Sequence, residues 1–408
     1  MKKTVMRKYA RLIARVGANV QKGQVVQLTA SVDQSEFVAI LVDECYKAGA
    51  SRVDMEWSCQ AIDKLNYRHR TLKSLSTVPA WKEAKLKLMT EELPARIVLI
   101  SDDPDGLKGV NQEKVQKARI ATYPILKPYR DAIESKHQWC IAAVPSYEWA
   151  RKVFPGEKKH KAYEMLWESI LMTVHVSEDN DPIEAWEKHN ETFREKCRWL
   201  NDCHFDAIEY HSANGTNFRA ELIEKGRWCG GGEYTKGGVF FNPNMPTEEI
   251  FTSPMSGKAE GKLVSTMPLS YQGQIINKFW IEFKDGHAVA WDAEEGKELL
   301  TRMLTMDEGA SRLGELALVP IDSPISRSGL LYYETLFDEN ASCHVALGAG
   351  YNDTIDGYMD MTNEECQALG INDSMIHVDF MIGAPDLCIT GYKNGVPTPI
   401  FMNGNWAK

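Results

Sequence analysis

A change of pattern near the middle of the chain limits its folds more than any other feature. Up to about residue 200, short apolar runs alternate with segments of helical periodicity. From Cys203 onward, short alternating segments follow one another between Gly, Asn and Asp turns. Val25-Val26-Gln27-Leu28 has strand composition, and Ser35 to Ala48 carries Phe37, Ile40, Leu41, Val42 and Cys45 at helical spacing before Gly49 ends it. Further strands are expected at Arg52 to Trp57, Arg96 to Ile100 and Trp139 to Val144. Strand–helix alternation predicts an α/β domain, a parallel sheet flanked by helices. Thr29-Ala30-Ser31-Val32-Asp33 after the first strand lacks the glycines of a nucleotide-binding turn, so a scaffold role is the simpler reading.

Asp181 and Pro182 then open a helix with Ile183, Trp186, Phe193, Cys197 and Leu200 on one face. It is read as the bridge into a mostly antiparallel second domain. That domain has expected strands at Ala207 to Tyr210, Gly238 to Phe241, Lys262 to Ser265, Lys278 to Lys284 and Ala288 to Trp291. Lys284-Asp285-Gly286-His287 marks a hairpin, and a helix is expected at about Gly296 to Met306. The expected division is residues 1–200 as the scaffold and 201–408 as the part that carries chemistry.

Composition narrows the function classes. The 408 residues suffice for two hydrophobic cores. A net charge of −10 and a pI near 5.6 argue against a nucleic-acid partner. The nine cysteines are scattered without a CxxC pair, which speaks against a disulfide framework or a Cys-rich zinc site and for a reducing compartment. Arg11, Arg15 and Lys22 interrupt any apolar stretch after the basic start, so no signal peptide is expected. No run approaches the roughly 18 apolar residues of a membrane span. A cytoplasmic protein without membrane partners is the expectation.

The chemistry-bearing residues lie in four segments of the second half. In Ile376-His377-Val378-Asp379-Phe380-Met381, the strand period puts His377 and Asp379 on one face and Ile376, Val378 and Phe380 on the other. Glu315 is the only charge between Gly314 and Pro320, so burial requires it to be neutral, paired with an arginine such as Arg312 or Arg327, or bound to a cation. His344 follows Cys343 in an apolar run, and Tyr351 follows Gly348-Ala349-Gly350. Glu248 and Glu249 are adjacent, and only one can face a site from a strand. Glu249, Glu315, His344, His377 and Asp379 form a full ligand set for two close divalent ions, while spacing alone leaves their convergence open. Two other readings remain. His344, His377 and Asp379 alone would suit a mononuclear non-haem iron oxygenase, and a non-catalytic peptide-binding protein would keep a structural metal.

The segments NMPTEEIFTSP (244–254), RLGELALVP (312–320), LFDENASCHVALGAGY (336–351) and IHVDFMIG (376–383) resemble the aminopeptidase T/S/II family of cytoplasmic dinuclear metallo-aminopeptidases. The resemblance covers essentially the whole chain. It implies a metal-dependent aminopeptidase that releases N-terminal residues from peptides with a free N-terminus, using metal-activated water. It further implies two divalent ions (Zn, Co or Mn) on Glu249, Glu315, His344, His377 and Asp379, with Glu315 bridging, and Tyr351 as the catalytic tyrosine. Glu249, the residue before Ile-Phe-Thr, is also taken as the proton shuttle. An α/β N-terminal domain, a metal-bearing C-terminal domain and a homodimer enclosing its active sites complete the expectation.

Overall fold

Val25–Ser31 pairs in parallel with Arg52–Ser58 on one side and Ala95–Ile100 on the other, and Trp139–Ala143 and the short Asn244–Met245 extend the same sheet. The first-half strand positions read from the sequence hold to within three residues at each end. The helix Ser35–Ala48 ends where Gly49 takes φ 118°, and its amide caps the carbonyls of Cys45 and Tyr46. Val26, Leu28, Ile97, Leu99 and Cys140 are buried in this sheet. Asn244–Met245, only two residues long, carries no periodic signal that would have assigned it here. The expected second-half strand at Gly238 to Phe241 shortens to Phe240–Phe241 and pairs with Glu233–Tyr234.

The computed structural model describes residues 1–271 and 273–407. They form two units: Met1–Lys188 with Gly232–Met245, and His189–Gly231 with Pro246–Lys408. The helix Pro182–Cys203, capped as expected by Asp181 Oδ1 accepting from the Ile183 amide at 3.0 Å, carries the chain from the first unit to the second.

The second unit holds two antiparallel sheets, one of nine strands and one of five. In the larger, Gln274–Lys284 and His287–Glu295 form the expected hairpin, with Asp285 at φ 50° and Gly286 at φ 75°, both left-handed as a primed turn requires. The five-stranded sheet runs His377–Met381, His344–Gly348, Leu313–Leu318, Ile250–Thr252, Cys229–Gly230. Register aligns Val345 with Leu316 and Phe380, and Leu347 with Val378, so these residues turn one face into the core with Phe279 and Ile281. Each fully buried side chain of this kind contributes about 1.5–3 kcal/mol. The opposite face is left for the polar residues. Among the described residues, no helix is long and apolar enough to cross a membrane.

Candidate metal centre

Sheet register assembles the site. Ala346 pairs with Glu315 on one neighbouring strand and Asp379 on the other, His344 pairs with Ala317, and Gly348 pairs with His377. The small residues between the polar ones leave space into which the longer side chains lean. A register shift between Leu313 and Glu315 re-aims the Glu315 carboxylate. Glu249 enters from the residue before Ile250–Thr252. Gly230 is a strand residue under this entry: a Cβ there would meet the Glu249 carbonyl at 2.7 Å.

Two triads result, Glu249–Glu315–His344 and Glu315–His377–Asp379, with one donor atom per residue and all donors in a triad within 4.8 Å of one another. Glu315 belongs to both. His344 Nε2 lies 3.1 Å from Glu249 Oε2, and His377 Nε2 lies 3.1 Å from Glu315 Oε2 and 3.3 Å from Asp379 Oδ1. Each imidazole is oriented from behind: Nδ1 of His344 donates to the Ser342 carbonyl at 3.2 Å and Nδ1 of His377 to that of Ala349 at 2.7 Å. A carbonyl only accepts, so each ring, once it has given up its Nε2 proton, presents an Nε2 lone pair to the cluster.

Arginine does not resolve the buried charge. Arg312 pairs with Glu308 at 3.0 Å and Arg327 with Asp322 at 2.6 Å. Burial pushes the Glu315 carboxyl up to about 7, with His377 pulling down and Asp379 and Glu249 pushing further up. Burial lowers His344, yet the adjoining Glu249, then Asp379 and Glu315, carry it up to about 9. The same balance, with Asp379 foremost among the carboxylates, holds His377 well above its ordinary range. Burial opposes ionisation of Asp379, but His377 and then His344 keep it below the usual carboxylate range. The buried His344 Nε2 and Asp379 Oδ1 have neighbours close enough for hydrogen bonds but none at hydrogen-bonding angles among the described residues. Lone pairs aimed at shared points rather than at each other are what divalent cations require, so the donor set fits such ions.

Tyr351 borders the cluster. Its hydroxyl lies 2.9 Å from His377 Nε2, and the two rings are 4.6 Å apart. Desolvation of the hydroxyl, then Glu315 and Asp379, holds its pKa well above the ordinary range. The loop before it bends through Gly348 at φ 99°, and a Cβ on Gly314 would collide with the Ala349 carbonyl that passes over it. Cys343 points the other way, its Sγ accepting from the Val319 amide at 3.4 Å. Glu248, the neighbour of Glu249, is half-buried and belongs to neither triad. The sequence reading missed Glu339. Desolvation, then the charges of Glu249, Asp379 and Glu315, pushes the carboxyl of this half-buried residue well above the ordinary range, so it lies within electrostatic reach of the cluster without belonging to either triad. It sits on a 3₁₀ turn, Glu339–Ala341, where no strand or helix period would have pointed to it. Its one sequence signal is an acid five residues before His344.

The family model of the thermophilic metalloproteases (M29) matches residues 2–406. The chain belongs to this family. Aminopeptidase AmpS of Bacillus subtilis is 41% identical over 98% of this chain and 97% of its own length. The structure of wild-type AmpT from Thermus thermophilus superposes with a TM-score of 0.92 at 38% identity, covering all of both chains. The 2,5-dihydroxypyridine dioxygenase of Pseudomonas putida KT2440 shares the fold at a TM-score of 0.52 and 12% identity, over 99% of this chain and 96% of its own. At that identity the likeness speaks for the fold alone. Family membership makes this a metal-using peptidase and removes the oxygenase and binding-only readings.

Proposed function

We propose that this metallo-aminopeptidase removes the N-terminal residue of peptides with two divalent ions, held by Glu249, Glu315 and His344 and by Glu315, His377 and Asp379. One observation carries the reading: Glu315 is a member of both triads. When bound, such ions offer a ligand position to the substrate's free α-amine, polarise the scissile carbonyl and lower the pKa of a water from about 15.7 toward about 7. Tyr351 donates its hydroxyl proton as a hydrogen bond to the carbonyl oxygen as negative charge gathers there. Glu249 takes the proton of the attacking water and returns it to the leaving amine. The carbonyls of Ser342 and Ala349 fix the two imidazoles. Oxygen-rich ligation with two imidazoles suits Zn²⁺, Co²⁺ or Mn²⁺.

The proposal extends to the assembly and its location. The first unit acts as scaffold and the second as the catalytic part. A homodimer is supported by the apolar side chains Ile62, Leu65, Trp81, Leu88 and Ile120, all exposed on first-unit helices. A cytoplasmic location is supported by nine cysteines that are all free thiols. Metal analysis with an assay on Leu-p-nitroanilide tests the core of the reading. Two ions per chain, activity abolished by EDTA and restored by added metal are expected. One ion per chain, or turnover that survives complete chelation, would contradict it.

A further inference from the structure

The strand Ile250–Thr252 does more than deliver Glu249. By the two-residue period, Glu249, Phe251 and Ser253 share a face, and Phe251 pairs with Ala317, which pairs with His344 on the site side. Ser253 is 1% exposed, and its Oγ accepts the Tyr351 amide at 3.0 Å. The Phe251 ring meets the Tyr351 ring at 5.6 Å and 70°, an edge-on contact. This segment therefore grips Tyr351 twice, at its backbone amide and at its ring, while Thr354 Oγ1 donates to its carbonyl at 2.6 Å.

The loop that ends in Tyr351 needs such a grip. Gly348 and Gly350 provide no side chains to anchor it. Asn372 secures its beginning: Nδ2 donates to the Gly348 carbonyl at 2.6 Å, and the Asn372 carbonyl accepts the Gly350 amide at 2.8 Å. Beyond Gly350, the Ser253 hydroxyl takes over, so close that a Cβ on Gly350 would sit 3.0 Å from it. The phenol then ends 2.9 Å from His377 Nε2.

We propose that Ser253 is a positioning residue for the reaction: by fixing the Tyr351 backbone, it aims the phenol at the place where the substrate carbonyl reacts. This rests on the role given above to Tyr351. A displacement of about 1 Å in such a group costs up to roughly 100-fold in rate. A serine that merely satisfies a buried amide would affect stability but would not act through the phenol.

A double-mutant cycle separates the two. Ser253→Ala is expected to lower kcat by about 10- to 100-fold with KM and metal content nearly unchanged, and Ser253→Thr, which keeps the hydroxyl, to recover most of the loss. In a Tyr351→Phe background, Ser253→Ala should cost little more, because its effect passes through the missing hydroxyl. Hydrogen exchange of residues 348–354 in the metal-free protein should quicken in Ser253→Ala, a readout independent of turnover. Equal losses from Ser253→Ala in both backgrounds, or no loss in either, would overturn the inference while leaving Tyr351 catalytic. Full activity of Tyr351→Phe alone would overturn the role of the phenol and the inference with it. Should Ser253→Ala yield no folded protein, Phe251→Leu, which removes the second grip, enters the same cycle with the same two outcomes.

Discussion

Among the described residues there are two five-stranded sheets, and they deal with buried carboxylates differently. In the first unit, the interior positions of the sheet are held by Val26, Leu28, Ile97, Leu99 and Cys140, and the buried Glu44 of a covering helix is met by Lys47 at 2.9 Å. In the second unit, Glu249, Glu315 and Asp379 are buried on one sheet face with imidazoles as their close partners. A lysine reaches out from a helix and brings its charge from solvent. A sheet face offers no such reach, so a cluster of carboxylates there needs cations from outside. The first arrangement serves folding alone. The second holds charge in place for chemistry.

Substitutions should sharpen that contrast. The largest effect is expected for His344→Ala, which removes one donor from the Glu249–Glu315 triad. Turnover should fall by about 1,000-fold or more with loss of metal. Unchanged metal content would detach His344 from the ions. Tyr351→Phe should lower kcat by about 100- to 1,000-fold, as removal of an oxyanion donor does, with both ions retained. Loss of metal in that variant would make Tyr351 structural.

The pH dependence of the metal-free protein is a milder effect. Glu315 has a folded-state pKa of about 7 against an ordinary 4.5, so it is neutral in both states below 4.5 and becomes a costly buried charge as pH rises through 7. His344, at about 9 against 6.5, contributes stability that is complete below 6.5 and lost as pH rises through 9. Both terms have one sign, so the melting temperature of the metal-free protein should fall from about pH 5 to about pH 9, and added metal should flatten the fall. A rise across that window would contradict the electrostatic account. The smallest effect belongs to the first sheet: Glu44→Gln should leave turnover and metal content unchanged and stability nearly so. A loss of activity there would blur the division between the two regions.

How much of this was legible follows from range. Helix and strand positions such as Ser35–Ala48 and Ala95–Ile100 are local patterns, set by which face is buried and by a glycine stop. His377 and Asp379 showed themselves through the two-residue period, and Glu315 through being the lone charge in an apolar run. Their meeting was not local: it depends on four strands in register and on a shift between Leu313 and Glu315 that no composition encodes. Glu339 escaped notice because a 3₁₀ turn has no period to read. Nothing local explains Gly230, because its reason, the passing Glu249 carbonyl, lies on another strand.

Glu315 is where the account is most exposed. Replacing it with glutamine keeps its size and removes the charge that both triads use. Metal content and turnover of Glu315→Gln, measured together on one folded preparation, should show loss of at least one of two ions and of nearly all activity. A variant that kept both ions and full turnover would mean that the shared carboxylate does not hold the centre together.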